Sequence, residues 1–295
     1  MSLDVTWYDK RSRDEIVNAP TSTTSGYSSA ALNIGKIRNT GIEALISVTP
    51  IRKDNFLWTT SVNGTSNKNE IISLATGNAP YTFATARSGT AYIQHRVGEP
   101  AAQIVAYDFL RDENGELILN PSTGLAQPAN VLTSQGSAYA KWWLGWMNDF
   151  TFKRFNLGFL IDGKFGGKIY SATETSSYSN GKNKATLIGR DQIWGINQTA
   201  SQYYSNLTRI SALFVEDASF IKFRQLTFGY TFPSNMWNNR IKAMNVSLVG
   251  RNLFILMKKT KNIDPESAYS GATTGIEAGS LPPQRSFGLN LSVKF

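Results

Sequence analysis

The chain has 295 residues, of which 41% are hydrophobic, 12% aromatic and only 17% charged, and this composition excludes a disordered protein. It contains no cysteine, which excludes disulfide scaffolds, thiol catalysis and cysteine-ligated metal centres. Its single histidine, His95, disfavours metal sites built from several histidines and Ser-His-Asp catalysis. The net charge of +9 arises from 30 Lys and Arg against 21 Asp and Glu, and because the cations are scattered along the sequence we expect no nucleic-acid partner.

Apolar residues recur at every second position through eight segments, which is the pattern of half-buried β-strands. In chain order, the alternating sets begin at Leu3, Ile42, Phe56, Trp142, Phe155, Leu226, Met244 and Phe287. Continuous apolar stretches such as 253–257 are far shorter than the roughly 20 residues that a membrane-spanning helix needs. The sequence therefore predicts an all-β protein of about eight strands.

The connections between these strands alternate in length. Long connections are expected over 11–35, 75–140, 166–216 and 258–284, and short ones over 50–55, 153–154 and 233–243. Such alternation is typical of an antiparallel, up-and-down transmembrane β-barrel with short periplasmic turns and long extracellular loops.

The alternating apolar sets contain no charged residue, as expected of a lipid-facing surface, where Arg or Lys at mid-depth costs about 2–4 kcal/mol. Arg38, Lys222 and Arg224 fall in phase with these sets, but towards the outer strand ends, where a lipid-facing charge costs little. An aromatic girdle is expected near the turn ends, formed by Trp7, Phe56, Trp58, Phe150, Phe152, Phe155, Phe232 and Phe295. A soluble β-sandwich with the same alternation remains an alternative.

Six ordered motifs carry a family resemblance. They are LDVTWYDKRSRD at 3–14, NIGKIRNTGIE at 33–43 with TPIR at 49–52, FNLGFLIDGKFGGKIY at 155–170, VEDASFIKFRQLTFGYTFP at 215–233, GRNLF at 250–254 with IDPE at 263–266, and PPQRSFGLNLSVKF at 282–295. With these motifs, residues 1–295 resemble the C-terminal part of the SusC/RagA family of TonB-dependent outer-membrane transporters.

The resemblance implies a fragment. A complete family member has a signal peptide, a TonB-contacting segment, a plug domain and many more strands, and we expect residues 1–295 to hold none of these. Eight strands would be roughly a third of a 22-stranded wall with a plugged lumen. A truncated reading frame, a shortened version of a longer protein and one piece of a split protein all fit the sequence.

The family resemblance also implies a function and partners. It implies energised import of oligosaccharides or peptides, with a SusD-like surface lipoprotein as lid, TonB acting through the missing N-terminal part, and outer-membrane lipid around the wall. Two alternatives stay open: a self-closed eight-stranded barrel with adhesive loops, and a soluble carbohydrate-binding sandwich. We expect no catalytic residue, metal or cofactor.

Two sets of candidate site residues follow. Amphipathic rings in the outer loops suit contact with a substrate or a partner, and the candidates are Tyr170, Tyr178, Trp194, Tyr203 and Tyr204. By resemblance, the last strand carries a barrel-assembly signal, formed by Leu289, Leu291, Val293 and Phe295. The carboxylates Asp162, Glu216 and Asp217 could be read as a glycosidase pair, but nothing in the sequence fixes their separation, so ordinary lumen or loop positions are expected.

Overall fold

The computed structural model describes residues 1–13, 16–20, 29–33, 35–74, 79–233, 241–268 and 274–294. Side chains are described for these residues except those of 16–20 and 29–33. Phe295 lies outside the described residues, so its place in the predicted girdle and in the predicted assembly signal stays a prediction.

Strands dominate the described part of the chain. They are β1 (Ser2–Arg13), β2 (Ile16–Pro20), β3 (Ser29–Asn33), β4 (Gly35–Lys53), β5 (Phe56–Leu74), β6 (Tyr81–Thr85), β7 (Ala91–His95), β8 (Gln103–Phe109), β9 (Pro128–Ser137), β10 (Trp142–Phe152), β11 (Phe155–Phe165), β12 (Lys168–Ser171), β13 (Val215–Asp217), β14 (Phe220–Phe232), β15 (Ala243–Lys258), β16 (Ile276–Glu277) and β17 (Ser286–Lys294). Two short helices, α1 (Ala172–Ser179) and α2 (Ala200–Leu207), and two 3₁₀ turns, Lys184–Leu187 and Ser211–Phe214, complete these elements. Within the described ranges, no helix is long and apolar enough to cross a membrane.

Eight strands form one antiparallel sheet in the order β1-β4-β5-β10-β11-β14-β15-β17. Each pair of neighbours in this sheet is also consecutive among the eight strands along the chain, so the topology is up-and-down. All eight segments predicted from alternation lie in these strands, and the predicted fold class is confirmed.

The two ends of this sheet differ in their connections. At the turn end, strands are joined by residues 54–55, 153–154 and 233–242. At the loop end, they are joined by 14–34, 75–141, 166–219 and 259–285. The predicted alternation of long and short connections is therefore confirmed. The first turn is shorter than predicted because β4 and β5 both extend to 19 residues.

The sheet has one apolar face and one polar face. Residues that pair across the strands share a face, as Phe56, Phe152 and Phe155 do at the turn end. We call the face that carries them the outward face, and large apolar side chains such as Leu226, Leu248 and Leu289 are exposed on it. The opposite, inward face carries small polar residues, namely Ser47, Thr49, Thr59, Ser61, Asn63, Asn245, Ser247, Asn290 and Ser292.

A β-bulge corrects the expectation for two of the in-phase cations. Leu160 pairs with Gln225 and Ile161 with Phe223, so Arg224 is an extra residue in β14. An extra residue shifts the in-and-out alternation by one position, which moves Lys222 from the outward to the inward face. Both cations are paired with carboxylates there rather than facing lipid.

The register also corrects the position of Trp7. Trp7 pairs with Ile42, Ile42 with Ser66, and Ser66 with Trp142 at the loop-end start of β10. Trp7 thus lies towards the loop end and not in a girdle at the turn end. Phe56, Phe152 and Phe155 do lie at the turn end, as predicted.

Smaller sheets fold beyond the loop end. The order β6-β7-β8-β9 forms a four-stranded sheet in connection 75–141, and β13-β12-β16 joins connections 166–219 and 259–285. We call the described residues of these three connections the loop assembly.

Candidate functional site in the loop assembly

The largest cluster of buried apolar residues lies in the loop assembly and not in the eight-stranded sheet. Ile93 and Ile104 come from the first connection, Tyr170 and Phe214 from the second, and Ile276 from the third. Because all three connections supply side chains to one core, each depends on the others for its fold.

Next to this core lies an aromatic cluster formed by Tyr178, Trp194, Tyr203, Tyr204 and Phe214. Trp194 and Tyr203 stack with ring centroids 4.0 Å apart. Tyr204 meets Tyr203 edge-on at 5.1 Å and Tyr178 at 5.9 Å, and Tyr178 meets Phe214 at 5.2 Å. Four of the five aromatic residues predicted from the sequence therefore meet in one place.

Local hydrogen bonds explain why the chain folds this way. Thr199 and Gln202 form a capping box at the start of α2, the helix that carries Tyr203 and Tyr204. The Tyr204 hydroxyl donates towards the carbonyl oxygens of Ala185 and Ile188, both at 2.8 Å. These contacts fix the ring of Tyr204 against the turn that precedes Trp194.

The fifth predicted residue, Tyr170, lies elsewhere. It is fully buried, and its hydroxyl lies 3.0 Å from both Ser88 Oγ and Thr175 Oγ1. The expectation that Tyr170 contacts substrate does not fit this position, because the ring has no exposed surface. Tyr204 is buried as well, which leaves Tyr178, Trp194 and Tyr203 as partly accessible rings.

Sequence reasoning missed the exposed apolar residues that lie near Trp194 in the sequence. Leu187, Ile188, Ile193 and Ile196 lie in the same segment and are exposed, Ile193 by 74%. We call these four residues the apolar rim. Large exposed apolar residues grouped in one segment are typical of protein contact surfaces. The signal was available, since three isoleucines stand in a polar, glycine-containing loop.

A second feature is an ionic cluster that ties connection 259–285 to the inward face. Lys222 Nζ lies 2.9 Å from Asp264 and 2.7 Å from Glu266, and its side chain is only 4% exposed. Arg224 binds Glu266 at 3.0 Å and Asp162 at 2.9 Å. Burial acts to raise the pKa of Glu266, but hydrogen bonds from Arg224 and Lys222 outweigh it, so the pKa lies below its ordinary value.

Two buried carboxylates fix α1 in place by accepting hydrogen bonds from uncharged groups. Glu277 accepts hydrogen bonds from the hydroxyls of Ser171 and Thr173 and from the Thr173 amide, at the N-terminus of α1. Glu174 accepts from Asn183 at 2.8 Å and from Asn262 at 2.6 Å. Each oxygen thus has a structural partner.

The three carboxylates considered as a glycosidase pair have separate partners. Asp162 binds Arg224, Glu216 accepts from the Lys261 amide at 2.9 Å, and Asp217 accepts from the Ser219 amide at 2.9 Å. Burial raises the pKa of Glu216. Within the described part of the chain, no group of three or more His, Asp or Glu residues is arranged to hold a metal ion.

The residues of the predicted assembly signal lie on β17. Leu289 pairs with Leu248 and Leu291 with Val246, so their side chains and that of Val293 belong to the outward face. Leu289 and Leu291 are exposed there. This placement suits recognition of the strand from the lipid side.

Comparison with known proteins gives the same picture. No profile of a protein family matches the chain. The TonB-dependent receptor P3 of Formosa agariphila is 24% identical over 332 aligned residues, covering 100% of this chain and 32% of the receptor. The TonB-dependent receptor SusC of Bacteroides thetaiotaomicron is 27% identical over 289 aligned residues, covering 89% of this chain and 27% of SusC.

Over its whole length, the chain is similar to TonB-dependent receptors of the SusC/RagA type. A solved structure of the RagAB peptide transporter matches 99% of the chain and 33% of the RagAB chain, with a TM-score of 0.73 and 19% identity. The RagAB peptide importer in an "open-open" state matches with a TM-score of 0.69 and 20% identity, covering 99% of this chain and 32% of that chain. The structural matches establish the fold.

The resemblance stated from the six motifs is thereby confirmed. These relatives are receptors and transporters rather than enzymes. SusC and RagA are outer-membrane proteins, and the expected outer-membrane location is confirmed. The chain spans about a third of the length of its relatives.

Proposed function

We propose that the chain forms eight strands, and the loops above them, of a longer TonB-dependent outer-membrane nutrient importer. The observation that carries this proposal is the two-faced sheet. Its outward face carries no charged residue between Lys53, opposite Phe56 at the turn end, and the level of Trp7, and its inward face is polar and made of small side chains. Such a wall separates lipid from an aqueous lumen.

This observation weighs against a soluble sandwich. In a sandwich, the apolar face packs on a second sheet about 10 Å away. The outward face is instead open over the described strands, with Trp7, Leu248 and Leu289 each more than half exposed. The same small inward side chains weigh against a closed barrel of eight strands, whose narrow interior needs bulky side chains to fill it.

Refolding the chain alone separates the remaining alternatives. We expect aggregation or protease sensitivity throughout, because an open sheet leaves unpaired backbone groups in hydrocarbon. The measurement is heat-modifiable migration on detergent gels. A compact band that changes mobility on boiling would support the self-closed barrel instead.

Import is tested on the full-length receptor in its host. We propose that the substrate is an oligosaccharide or a peptide and that TonB supplies energy through the part of the receptor that precedes this wall. Deleting the receptor should abolish growth on one class of these nutrients, and deleting TonB should have the same effect. Growth that needs the receptor but not TonB would contradict the energised mechanism.

The apolar rim and the Trp194–Tyr203 stack form the proposed contact surface for a SusD-like lipoprotein lid. Exposed isoleucines beside a stacked aromatic pair offer desolvation energy at a protein interface. Replacing Ile188 and Ile193 by Glu should reduce co-purification of the lipoprotein at least tenfold. Val131→Glu is the matched control, because Val131 is 69% exposed and Ile188 68%, but Val131 lies in β9. Equal loss in both variants would place the contact elsewhere.

The orientation has its own test. The chain has no cysteine, so a single introduced cysteine reports its position if other cysteines of the receptor are first removed. Ile193→Cys at the loop end should react with a membrane-impermeant maleimide on intact cells. Asp54→Cys at the turn end should react only after lysis, and the reverse pattern would overturn the orientation.

A further inference from the structure

A patch of positive charge lies on the outward face beyond the apolar band, where β1, β4 and β5 approach the loop end. Alternation along each strand places its residues on the same face as Trp7 and Ile42. The five cations of this outward basic patch are Arg11, Arg13, Lys36, Arg38 and Lys68. The opposite face of the same strands packs against the loop assembly, as Ile37 and Ile71 do.

In the described part of the chain, two carboxylates share this face and neutralise only part of the charge. Asp9 accepts two hydrogen bonds from Arg38, at 2.9 and 3.1 Å, and lies 3.4 Å from Arg11. Glu70 lies opposite Arg38 in the ladder. Among the described residues of this face, five cations against two carboxylates leave a net positive charge.

Arg13 and Lys36 stand directly opposite each other in the ladder, and both side chains are exposed. Among the described residues, neither has an ion-pair partner, and neither does Lys68. Like charges directly opposite one another destabilise a strand pair. A bound anion would remove this repulsion.

The depth of the patch identifies its surroundings. Trp142, at the level of Trp7, begins the 11-residue strand β10, and 9–11 residues is the length of a tilted strand that spans a bilayer. Trp7 therefore lies near the border of the hydrocarbon. Arg11 is four residues farther along β1, roughly 13 Å along the strand at about 3.3 Å per residue and about 9 Å along the membrane normal at a tilt of about 45°, so the patch lies at the height of lipid headgroups.

Directly below the patch the same face is apolar. Leu3, Val5 and Trp7 are exposed by more than half. Cations above an exposed apolar stripe match an amphiphile with anionic headgroup and acyl chains. Arginine forks bind phosphate oxygens in pairs, which favours phosphate as the anion.

We infer that the outward basic patch binds a phosphate-bearing lipid of the outer leaflet, with its acyl chains against Leu3, Val5 and Trp7. The inference rests on the orientation proposed above, which the cysteine-labelling experiment tests independently. It concerns the lipid side of the wall and requires no particular imported substrate.

The test uses the full-length receptor purified in nonionic detergent, with diphosphoryl lipid A as the probe and native mass spectrometry as the readout. The double variant Arg13→Ala, Lys36→Ala should bind the probe about tenfold more weakly than wild type, because charge-assisted contacts are lost. The matched control is Arg52→Ala, Lys53→Ala, which removes the same charge from β4 at the turn end and should bind as wild type does. Dephosphorylated lipid A should bind wild type as weakly as the probe binds the double variant.

Three results would overturn the inference: unchanged affinity in the patch variant, equal loss in the turn-end control, or displacement of the probe by inorganic phosphate, which would indicate a site for free anions. Where the double variant does not insert, Lys68→Gln decides by the same comparison. TonB-dependent growth is measured for the same variants. If a variant loses growth but binds the lipid normally, the change affects import and not the lipid site. If a variant loses lipid binding but grows normally, the change affects the lipid site and not import.

Discussion

Lys222 and Glu266, 44 residues apart in the sequence, form an ion pair of 2.7 Å that is almost removed from solvent. The pair joins a strand of the membrane wall to a loop above it. It exists because the bulge at Arg224 turns Lys222 to the inward face, where the IDPE motif supplies Asp264 and Glu266. The loop is therefore anchored by charge rather than by apolar packing alone.

Removing this lysine should release the loop. Lys222→Ala leaves two buried carboxylates with less compensation, and breaking a buried pair costs about 3–5 kcal/mol. Hydrogen exchange should show faster opening of 259–268, with the other loops less affected. Lys259→Ala is the control, because the Lys259–Asp217 pair is exposed and such pairs contribute about 0–1 kcal/mol. Similar opening in both variants would contradict an anchoring role for Lys222.

Neighbouring residues on the two faces of β14 should respond oppositely to a charge. Leu226 is outward and lies level with Asn148, near the middle of the 11-residue strand β10, and Thr227 is inward. Leu226→Arg should lower the free energy of unfolding in bilayers by about 2–4 kcal/mol, whereas Thr227→Arg faces the lumen and should be tolerated. Denaturant titration of the full-length receptor in liposomes measures both. Equal costs would mean that the faces are wrongly assigned.

Glu216 and Asp217 should give opposite pH dependences, although they are adjacent. Burial raises the pKa of Glu216, so the folded state holds this proton more tightly than the unfolded chain, and stability falls as pH rises through the interval above the ordinary value of 4.5. Burial also acts to raise the pKa of Asp217, but hydrogen bonds from Ser219 and Lys259 lower it, so its contribution is present above the ordinary value of 3.8 and is lost as pH falls.

Because the two pKa shifts are opposite, neutralising each carboxylate should change stability in opposite directions. At neutral pH, Glu216→Gln should leave the loop assembly as stable as wild type or more stable, and the difference should shrink as pH falls towards 4.5. Asp217→Asn should be less stable than wild type at neutral pH and approach it at low pH. Proteolysis of the loops across this pH range provides the measurement. The same sign for both variants would contradict the assignment.

The last strand should control insertion. Deleting Phe295 from the full-length receptor should reduce its level in the outer membrane, because Leu289, Leu291, Val293 and Phe295 form the proposed assembly signal. Ser292→Ala, on the inward face of the same strand, should insert normally. Normal surface levels after the deletion, measured by surface labelling, would argue against the signal.

The wall could be predicted from the sequence because lipid and lumen impose a period of two on every strand. The eight strands and the parity of their connections both follow from that period. The sequence did not reveal the bulge, because no local residue pattern marks Arg224 as the unpaired residue of β14. That residue shifts the alternation and turns Lys222 inward. The position of Trp7 required the register, which alternation alone does not determine.

The loop assembly was less predictable for a different reason. Its core is built from three connections far apart in sequence, so no local pattern distinguishes the buried Tyr170 from the half-buried Tyr203. Amphipathic rings suggested a contact surface, and four of them do cluster. Their accessibility depends on long-range packing, and the exposed isoleucines beside them were the clearer local signal.

The shared core of the three connections has a consequence for the order of assembly. Ile93, Tyr170 and Ile276 reach one another only after their three connections have crossed to the same side of the membrane. Connection 75–141 packs partly on the inward face of the wall, through Ile37 and Ile71, but the core that contains Ile93, Tyr170 and Ile276 lies within the loop assembly. Formation of this shared core therefore requires that every hairpin between the three connections has been inserted. The apolar surface that the core buries then stabilises each hairpin against withdrawal from the membrane.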